Sequence, residues 1–202
     1  MTMYSFELSA HRSGFQVVAG VDEAGRGPLS GPVVAAAVVL PPSYKNDEIR
    51  DSKQLSPKKR ERLYETINND ALSVGLGVVE SSVIDSINIL QATLMAMEEA
   101  VTNLSLAVDY FLIDGINNIN VSIPQQAIRK GDSLSISIAS ASIIAKVSRD
   151  KIMEIYHRQF PQYNFLKNKG YGTLEHREAI KKYGCCKIHR RSFKGVKEYL
   201  YL

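Results

Sequence analysis

Five short apolar runs along the chain have the length and composition of β-strands. They cover residues 15–21, 33–40, 73–79, 110–113 and 124–129. Charged or turn-forming segments separate them, and Pro41 and Pro42 close the second run because proline cannot continue a strand ladder. We therefore predict five strands, of which the last has the weakest pattern.

Four other segments carry helical signals. They cover residues 56–69, 81–103, 136–160 and 173–183. The first begins with Ser56 as its N-cap and Pro57 in its first turn. The second and third segments place apolar residues three and four positions apart, which predicts one apolar stripe on each helix. A break is expected in the second helix near Asn88. The first ten residues show neither pattern, and we expect a frayed lead-in there.

The order of these elements defines a fold class. Three strands come first, and strands and helices then alternate, which is typical of a mixed sheet with helices on its faces. A chain of 202 residues and 22.4 kDa is long enough for one good core. We therefore predict an α/β fold with residues 1–202 in a single domain.

Composition excludes several classes of protein. Hydrophobic residues make up 45% and charged residues 23%, which is ordinary for a globular chain. The longest apolar run, residues 33–40, is much shorter than the roughly 20 residues of a membrane span, and no secretory signal opens the chain. Cys185 and Cys186 are adjacent, so neither a disulfide framework nor a zinc site is indicated. We expect a soluble, cytoplasmic monomer.

The net charge of +4 is distributed unevenly. Residues 1–100 carry 9 Lys and Arg against 13 Asp and Glu, whereas residues 101–202 carry 16 against 8. From Tyr156 onward the count is 11 against 3. A basic segment of this kind attracts nucleic acid through counterion release. On charge alone, a solvated helical face explains the pattern equally well.

Carboxylates follow three of the predicted strands. Asp22 and Glu23 come where the first strand ends, Asp114 where the fourth ends, and Asp132 shortly after the fifth. Converging carboxylates repel, so such a cluster needs cations or protons to persist. Oxygen ligands without nearby His or Cys suit Mg²⁺ or Mn²⁺. Two such ions can activate a water and stabilise the leaving oxygen of a phosphodiester.

Each acid taken alone also has an ordinary explanation. Asp and Gly are common turn formers after a strand, so any single one of these acids is more simply a turn residue than a metal ligand. Three acids in or just after turns, together with the basic last quarter, make a metal site an equally good interpretation. The sequence does not show that the acids converge.

The loop at residues 25–31 is rich in glycine but matches neither common phosphate-binding motif. It lacks the Lys-Ser or Lys-Thr of a Walker loop and the spacing of a dinucleotide fingerprint. Gly25 and Gly27 have no side chains, so a nucleic-acid strand can approach closely and meet backbone groups suited to a sugar hydroxyl. A tight turn between two strands explains these glycines equally well.

A series of longer motifs runs in order through residues 15–197. It comprises Val-Asp-Glu-Ala-Gly-Arg-Gly-Pro at 21–28, Asp-Ser-Lys-Gln-Leu-Ser at 51–56, Ile-Asp at 84–85 with Asn-Ile-Leu at 88–90, Ile-Asp-Gly at 113–115, Lys-Gly-Asp at 130–132, Ala-Ser-Ala-Ser-Ile-Ile-Ala-Lys-Val-Ser-Arg-Asp at 139–150, Gly-Tyr-Gly-Thr at 170–173 and His-Arg-Arg-Ser-Phe at 189–193. This series resembles the signature of the bacterial ribonuclease HII family. Any one motif can occur by chance, but the ordered series cannot plausibly do so.

The resemblance implies a ribonuclease H-like fold, a mixed five-stranded sheet flanked by helices. It also implies a basic, substrate-binding helical extension, here about residues 160–202. The implied activity is endonucleolytic cleavage of RNA in RNA–DNA hybrids and incision on the 5′ side of single ribonucleotides in duplex DNA. Two-metal-ion hydrolysis would leave 3′-hydroxyl and 5′-phosphate ends. The added amino-terminal domain of the related ribonuclease HIII is not expected, since only 21 residues precede Asp22.

The resemblance also assigns roles by position. The four metal-binding, catalytic carboxylates would be Asp22, Glu23, Asp114 and Asp132. The loop that reads the ribose 2′-hydroxyl through its backbone would be Gly25, Arg26 and Gly27. Tyr171 would stack on the neighbouring deoxyribose and hydrogen-bond the same hydroxyl. The phosphate contacts would be Lys53, Ser142 and Lys146.

Several of these residues have ordinary interpretations as well. Tyr171 is one of 10 tyrosines, and a packed aromatic residue in a turn is the simpler reading without the motif. Lys146 and Arg149 fit a solvated helix face. His176 and His189 are expected to satisfy local hydrogen bonds, and no histidine base is indicated.

Two other functions stay open. A binding module that kept the fold without cleaving would have lost one of the four acids, and none is lost. A nuclease for branched DNA would share the acids but would need neither Tyr171 nor the glycine loop. One departure from the family pattern is Gly-Cys-Cys-Lys at residues 184–187, where a proline-containing turn is expected. The cysteine pair is most simply two small residues in a turn.

Overall fold

One mixed sheet of five strands forms the centre of the protein, whose computed structural model describes residues 2–49, 52 and 55–200. The strands are β1 (Val18–Ala24), β2 (Val33–Val39), β3 (Ser73–Val79), β4 (Tyr110–Asp114) and β5 (Gln125–Ile128). Their spatial order is β3-β2-β1-β4-β5. The pairs β1–β2 and β2–β3 are antiparallel, and β4 pairs in parallel with β1 and β5. The predicted α/β class and five-stranded mixed sheet are confirmed.

The described helices surround this sheet. They are α1 (Ser5–Arg12), α2 (Pro57–Asp70), α3 (Ser81–Thr102), α4 (Ile136–Gln159), α5 (Phe165–Asn168) and α6 (Leu174–Tyr183). The side chain of Ser56 accepts a hydrogen bond from the amide of Lys59 and caps α2, as predicted. The break in α3 falls at Asn88, whose φ is 69° and whose Oδ1 accepts the amides of Leu90 and Gln91.

The helices bury the two faces of the sheet separately. Helix α3 packs on the face that carries Val21 and Ile113, and α2 and α4 cover the face that carries Ala36 and Val38. Helix α4 approaches β1 very closely, because a Cβ on Gly20 would lie 2.1 Å from the carbonyl carbon of Ser137. This approach places α4 beside the end of β1, where the first two acids lie.

The expected frayed lead-in is wrong, because residues 5–12 form helix α1. The side chain of Glu7 is buried and accepts hydrogen bonds from Ser135 Oγ (2.5 Å) and the Ser137 amide (3.0 Å). A helix of eight residues is marginal without tertiary support. The contacts that stabilise α1 come from residues far along the chain, so the local sequence pattern does not show them.

The predicted single stripe on α4 is also wrong. Residues 136–149 of this helix are buried almost all round, whereas the apolar side chain of Ile155, in its second half, is 55% exposed. The sheet, α2 and α1 each cover a different side of the first half of α4. Three covering surfaces remove the polar face that an amphipathic pattern needs.

Residues after α4 build a smaller core of their own against the glycine loop. Tyr163, Phe165 and Ile180 pack with Leu29 from the loop and Met153 from α4. This core joins the C-terminal segment to residues near the end of β1. Within the described residues, none of the helices has both the length and the apolar character needed to cross a membrane.

Candidate active site

Strand register brings the carboxylates together at one rim of the sheet. The parallel pairing of β1 with β4 sets Val21 opposite Ile113, so Asp22 and Asp114 follow side by side. Glu23 comes next in β1 and points to the other face, because side chains alternate along a strand. Oxygen atoms of these three carboxylates all lie within 4.8 Å of one another. Three of the four predicted acids therefore converge.

Asp22 is the most buried member of this cluster, with 3% of its surface exposed. Its Oδ1 accepts the amide of Glu23 (2.7 Å). Burial raises the pKa of Asp22 well above its usual range, and the charges of Glu23 and Asp114 raise it further. The cluster is therefore under strong pressure to take up a proton or a cation.

The fourth acid lies beside the cluster without joining it. Asp132 is buried in a short 3₁₀ turn, Gly131–Ser133, that follows β5. The amide of Gly131 donates to Asp114 Oδ1 (2.6 Å), which fixes this turn against the cluster. The structure thus places Asp132 next to Asp114 in space but outside the group of three.

A cleft of about 250 Å³ opens next to the acids. Its lining includes Asp22, Glu23, Asp114, the loop residues Gly25, Arg26 and Gly27, and Ser52, Ser142, Lys146, Arg149 and Tyr171. The ring of Tyr171, 46% exposed, lies against the loop, since a Cβ on Gly27 would be 3.7 Å from its Cε1. The predicted Lys53 lies outside the described residues. The other predicted binding residues all line this one cleft.

The glycine loop needs glycine at residue 25 for two reasons. Gly25 has a φ of +98°, a backbone region that favours glycine. A Cβ there would also lie 2.1 Å from Nε of Arg149. The neighbouring Arg26 pairs with Glu23, with 3.2 Å between Nη1 and Oε1. The loop is thus pressed between the acidic cluster and a buried arginine.

Arg149 is not on a solvated face, which corrects the sequence interpretation. It is fully buried, and its guanidinium donates to the carbonyls of Ser30 (3.1 Å), Pro32 (3.0 Å) and Lys169 (2.9 Å). Burial lowers its pKa to about 10. The first acceptor lies in the glycine loop, the second directly follows it and the third precedes Tyr171, so Arg149 links the two sides of the cleft.

Ser142 and Lys146 lie one turn apart on α4. Ser142 is buried, and its hydroxyl hydrogen-bonds the hydroxyl of Ser52, with 2.9 Å between the two oxygens. Lys146 contacts Asp150 at 2.7 Å, and its side chain is 24% exposed. Burial lowers the pKa of the Lys146 ammonium, and Asp150 opposes this shift. Sequence reasoning missed Ser52, although it lies in the motif at residues 51–56.

A buried histidine pair supports the segment that carries Tyr171. His176 bonds the Tyr171 carbonyl through Nδ1 (2.8 Å) and His189 through Nε2 (3.1 Å), and Nδ1 of His189 faces the Cys186 amide (2.9 Å). A carbonyl only accepts and an amide only donates, so this chain of bonds requires both histidines to be neutral. Burial lowers the pKa of His189 to about 4. The expected local hydrogen bonds are present.

Comparison with known proteins identifies the chain that carries this site. A family model described as ribonuclease HII matches residues 19–196. A ribonuclease HII of Syntrophus aciditrophicus is 69% identical over 192 residues, which cover 95% of this chain and 91% of that protein. The chain belongs to the ribonuclease HII family. It is accordingly a ribonuclease H, a hydrolase that acts on RNA–DNA hybrids.

Solved structures agree with this assignment. The ribonuclease H2 of Pyrococcus horikoshii has a TM-score of 0.78 and 25% identity, and the match covers 92% of this chain and 98% of that one. A Bst-RNase HIII structure in complex with Mn²⁺ has a TM-score of 0.77 and 20% identity over 96% of this chain and 72% of that one. The second likeness is one of fold.

Proposed function

We propose that this ribonuclease HII family member also incises duplex DNA on the 5′ side of a single embedded ribonucleotide. The products would carry a 3′-hydroxyl and a 5′-phosphate. The observation that supports the proposal is that Asp22, Glu23 and Asp114 share one cleft with the glycine loop and Tyr171. A scissile phosphate can therefore lie at the acids while the adjacent ribose lies against the loop.

The donor set suits a hard divalent cation. Asp22, Glu23 and Asp114 offer carboxylate oxygens within 4.8 Å of one another, and a cation there would offset the repulsion that raises the pKa of Asp22. Asp132, on the neighbouring turn, is the proposed fourth ligand. Mg²⁺ or Mn²⁺, when bound, would supply an activated water and stabilise the leaving oxygen. The Mn²⁺ complex of Bst-RNase HIII supports the same class of ion here.

The opposite side of the cleft would read the sugar. A ribose 2′-hydroxyl is both a donor and an acceptor, so its site needs one group of each kind. The loop backbone at Gly25, Arg26 and Gly27 supplies amides and carbonyls, and the half-exposed Tyr171 supplies a phenol and a ring face. A sugar that lacks this hydroxyl would leave these groups unpaired, which gives strong discrimination.

Other residues would hold the substrate backbone. Ser142 and Lys146 line the cleft and are the proposed phosphate contacts on α4. Lys53 stays a prediction from the sequence. Residues 160–202, with their basic excess, would bind the flanking duplex. One chain carries the whole site, so we propose that it acts as a monomer.

The test compares two labelled DNA duplexes of identical sequence, of which one contains a single ribonucleotide. Each is incubated with Mg²⁺, with Mn²⁺ and with a chelator, and the products are sized on a gel. We expect one metal-dependent cut, 5′ of the ribonucleotide, and none in the all-DNA control. A folded protein that binds but never cuts would favour a non-catalytic module. Cutting of branched all-DNA substrates instead would favour the branched-DNA nuclease.

A further inference from the structure

Arg190 is fully buried behind the glycine loop, and its guanidinium serves that loop. Four of its N–H groups donate to backbone carbonyls, at Gly31 (3.0 Å), Arg26 (2.9 Å), Pro28 (2.9 Å) and Gly25 (2.5 Å). A guanidinium carries five N–H groups in a fixed plane. Nearly the whole donor capacity of this side chain is therefore directed at residues 25–31.

The arginine is itself held in place from several directions. Its amide donates to the carbonyl of Leu29 (2.9 Å), and the ring of Phe193 lies 5.0 Å from its guanidinium carbon. The next turn is fixed by Asp85 of α3, whose carboxylate accepts the amides of Arg191 and Ser192, both at 2.8 Å. A side chain fixed in this way imposes its geometry on the loop that it contacts.

These contacts set the direction in which the loop amides point. In a trans peptide the carbonyl of one residue and the amide of the next point in opposite directions. The carbonyls of Gly25 and Arg26 point at Arg190, so the amides of Arg26 and Gly27 point away from it. Gly25, Arg26 and Gly27 line the cleft and Arg190 does not, so we place the cleft on the side of the loop opposite Arg190. The two amides therefore face the position where we place the ribose.

We propose that Arg190 is a positioning residue for ribose recognition, which presents the amides of Arg26 and Gly27 to the 2′-hydroxyl. This inference rests on the proposed function and deepens it, because it names the residue that determines the shape of the reading loop. Arg190 does not line the cleft, so it acts through the loop rather than on the substrate.

The geometry also predicts that lysine cannot replace this arginine. A lysine ammonium has three donors on a single nitrogen, whereas Arg190 reaches four carbonyls spread over the loop from three nitrogens in one plane. The Arg190→Lys variant keeps the positive charge but has too few donor nitrogens to reach all four carbonyls. Charge alone is therefore separable from loop geometry in one substitution.

The experiment measures binding rather than cleavage. Two duplexes that differ by one 2′-hydroxyl are titrated by fluorescence anisotropy in Ca²⁺ buffer, with a gel to verify that neither strand is cut. For the wild type we expect the ribonucleotide duplex to bind about tenfold more tightly, and for Arg190→Lys we expect this ratio to approach one. Mn²⁺ affinity, measured by calorimetry, should stay within about twofold of the wild-type value. The neighbouring Arg191→Lys variant, at an exposed position, should keep the wild-type ratio.

Each outcome decides between readings. A wild-type ratio of one would overturn the 2′-hydroxyl reading and this inference together. If the wild type prefers the ribonucleotide duplex and Arg190→Lys keeps the same preference, this inference alone would be overturned. It would also be overturned if Arg190→Lys lost affinity for both duplexes and for Mn²⁺ to the same degree, because that result indicates a general structural role. If Arg190→Lys does not fold, the milder Phe193→Leu variant replaces it. Loss of the Phe193 ring should leave the Arg190 guanidinium less firmly held and lower the ratio of the two duplex affinities. An unchanged ratio would count against a role for Arg190.

Discussion

The two sides of the cleft carry opposite charges and hold them in opposite ways. On the acidic side, Asp22, Glu23 and Asp114 bring their oxygens within 4.8 Å of one another at the rim of the sheet. On the other side, Arg149 and Arg190 lie fully buried against the glycine loop, and their guanidinium groups donate hydrogen bonds to its carbonyls. The acids therefore face the cleft together with Arg26, Lys146 and Arg149, whereas the guanidinium of Arg190 lies behind the loop backbone.

This difference shows which side of the cleft is stable without a bound ligand. The arginine side satisfies its own hydrogen bonds, so the glycine loop is formed before any ligand binds. The acidic side contains repelling charges whose burial raises the pKa of Asp22, so its stable form includes protons or cations. Substitutions should therefore affect the two sides in opposite ways: removing a charge should stabilise the acidic side and disrupt the arginine side.

The largest effect is expected at the acids. Asp22→Asn should reduce cleavage below detection, because a metal ligand is lost, yet in chelator it should raise the melting temperature, by about 2–4 °C for each kcal/mol of repulsion removed. Calorimetry with and without Mg²⁺, beside a cleavage assay, measures both effects. Asp70→Asn, at the end of α2, is the control and should keep full activity. A melting temperature that falls in chelator would contradict the comparison.

A smaller, selective effect is expected at Tyr171. Removal of one hydrogen bond by Tyr171→Phe should slow incision at a single ribonucleotide about tenfold, and loss of the ring in Tyr171→Ala should slow it further. Long RNA–DNA hybrids should be cut more nearly as in the wild type. Rates on both substrates are compared with those of Tyr183→Phe, an exposed tyrosine on α6. Equal losses on the two substrates would rule out a reading role.

Gly25 and Gly14 form a matched pair for testing the arginine side. Their φ angles are +98° and +99°, but a Cβ would meet Nε of Arg149 at Gly25 and nothing within 4 Å at Gly14. Gly14→Ala should cost about 1–2 kcal/mol of unfolding free energy from backbone strain. Gly25→Ala should cost more and should also weaken the preference for a ribonucleotide. Urea unfolding curves measure the difference, and equal costs would show that the arginine contact is unimportant.

The effect that is smallest at neutral pH concerns acid stability. The pKa of His189 falls from an ordinary 6.5 to about 4 in the folded protein, so the unfolded chain binds a proton first as the pH drops. This contribution is complete above pH 6.5 and is lost between pH 6.5 and 4, with a decrease of roughly 1–3 kcal/mol in unfolding free energy. His189→Asn should flatten this decrease, and His11→Asn should not. Equally steep curves for both variants would exclude the histidine pair as the cause.

The sequence predicts the acidic side well because that side depends on local order. Apolar runs identify β1 and β4, and the acids at their ends follow directly from the register of a parallel pair. Even so, β1 continues through Ala24, so Asp22 and Glu23 lie within its last residues rather than after it. Asp132 lies apart from Asp22, Glu23 and Asp114 because of the geometry of a 3₁₀ turn, which the hydrophobic pattern of the sequence does not predict.

The sequence does not predict the arginine side, because that side depends on contacts between residues that are far apart in the chain. Arg149 and Arg190 look like ordinary surface cations in the sequence, and only the packing of α4 and the C-terminal segment buries them. Their acceptors are backbone carbonyls, which carry no residue signal at all. The one available clue was that both arginines stand inside motifs of the family pattern. The same limit explains why α1, held by Glu7 and the start of α4, was missed.

The bond between Arg190 and Gly25 spans 165 positions of the chain, and this span orders events during protein synthesis. The ribosome completes β1 and β4, with their acids, by residue 114, long before residue 190 is made. Until then the loop after β1 has no guanidinium to shape it. A chain that ends before residue 190 would thus carry the acids of β1 and β4 without the guanidinium that holds the loop. If the proposed roles hold, recognition of the ribose depends on the part of the chain that is made last.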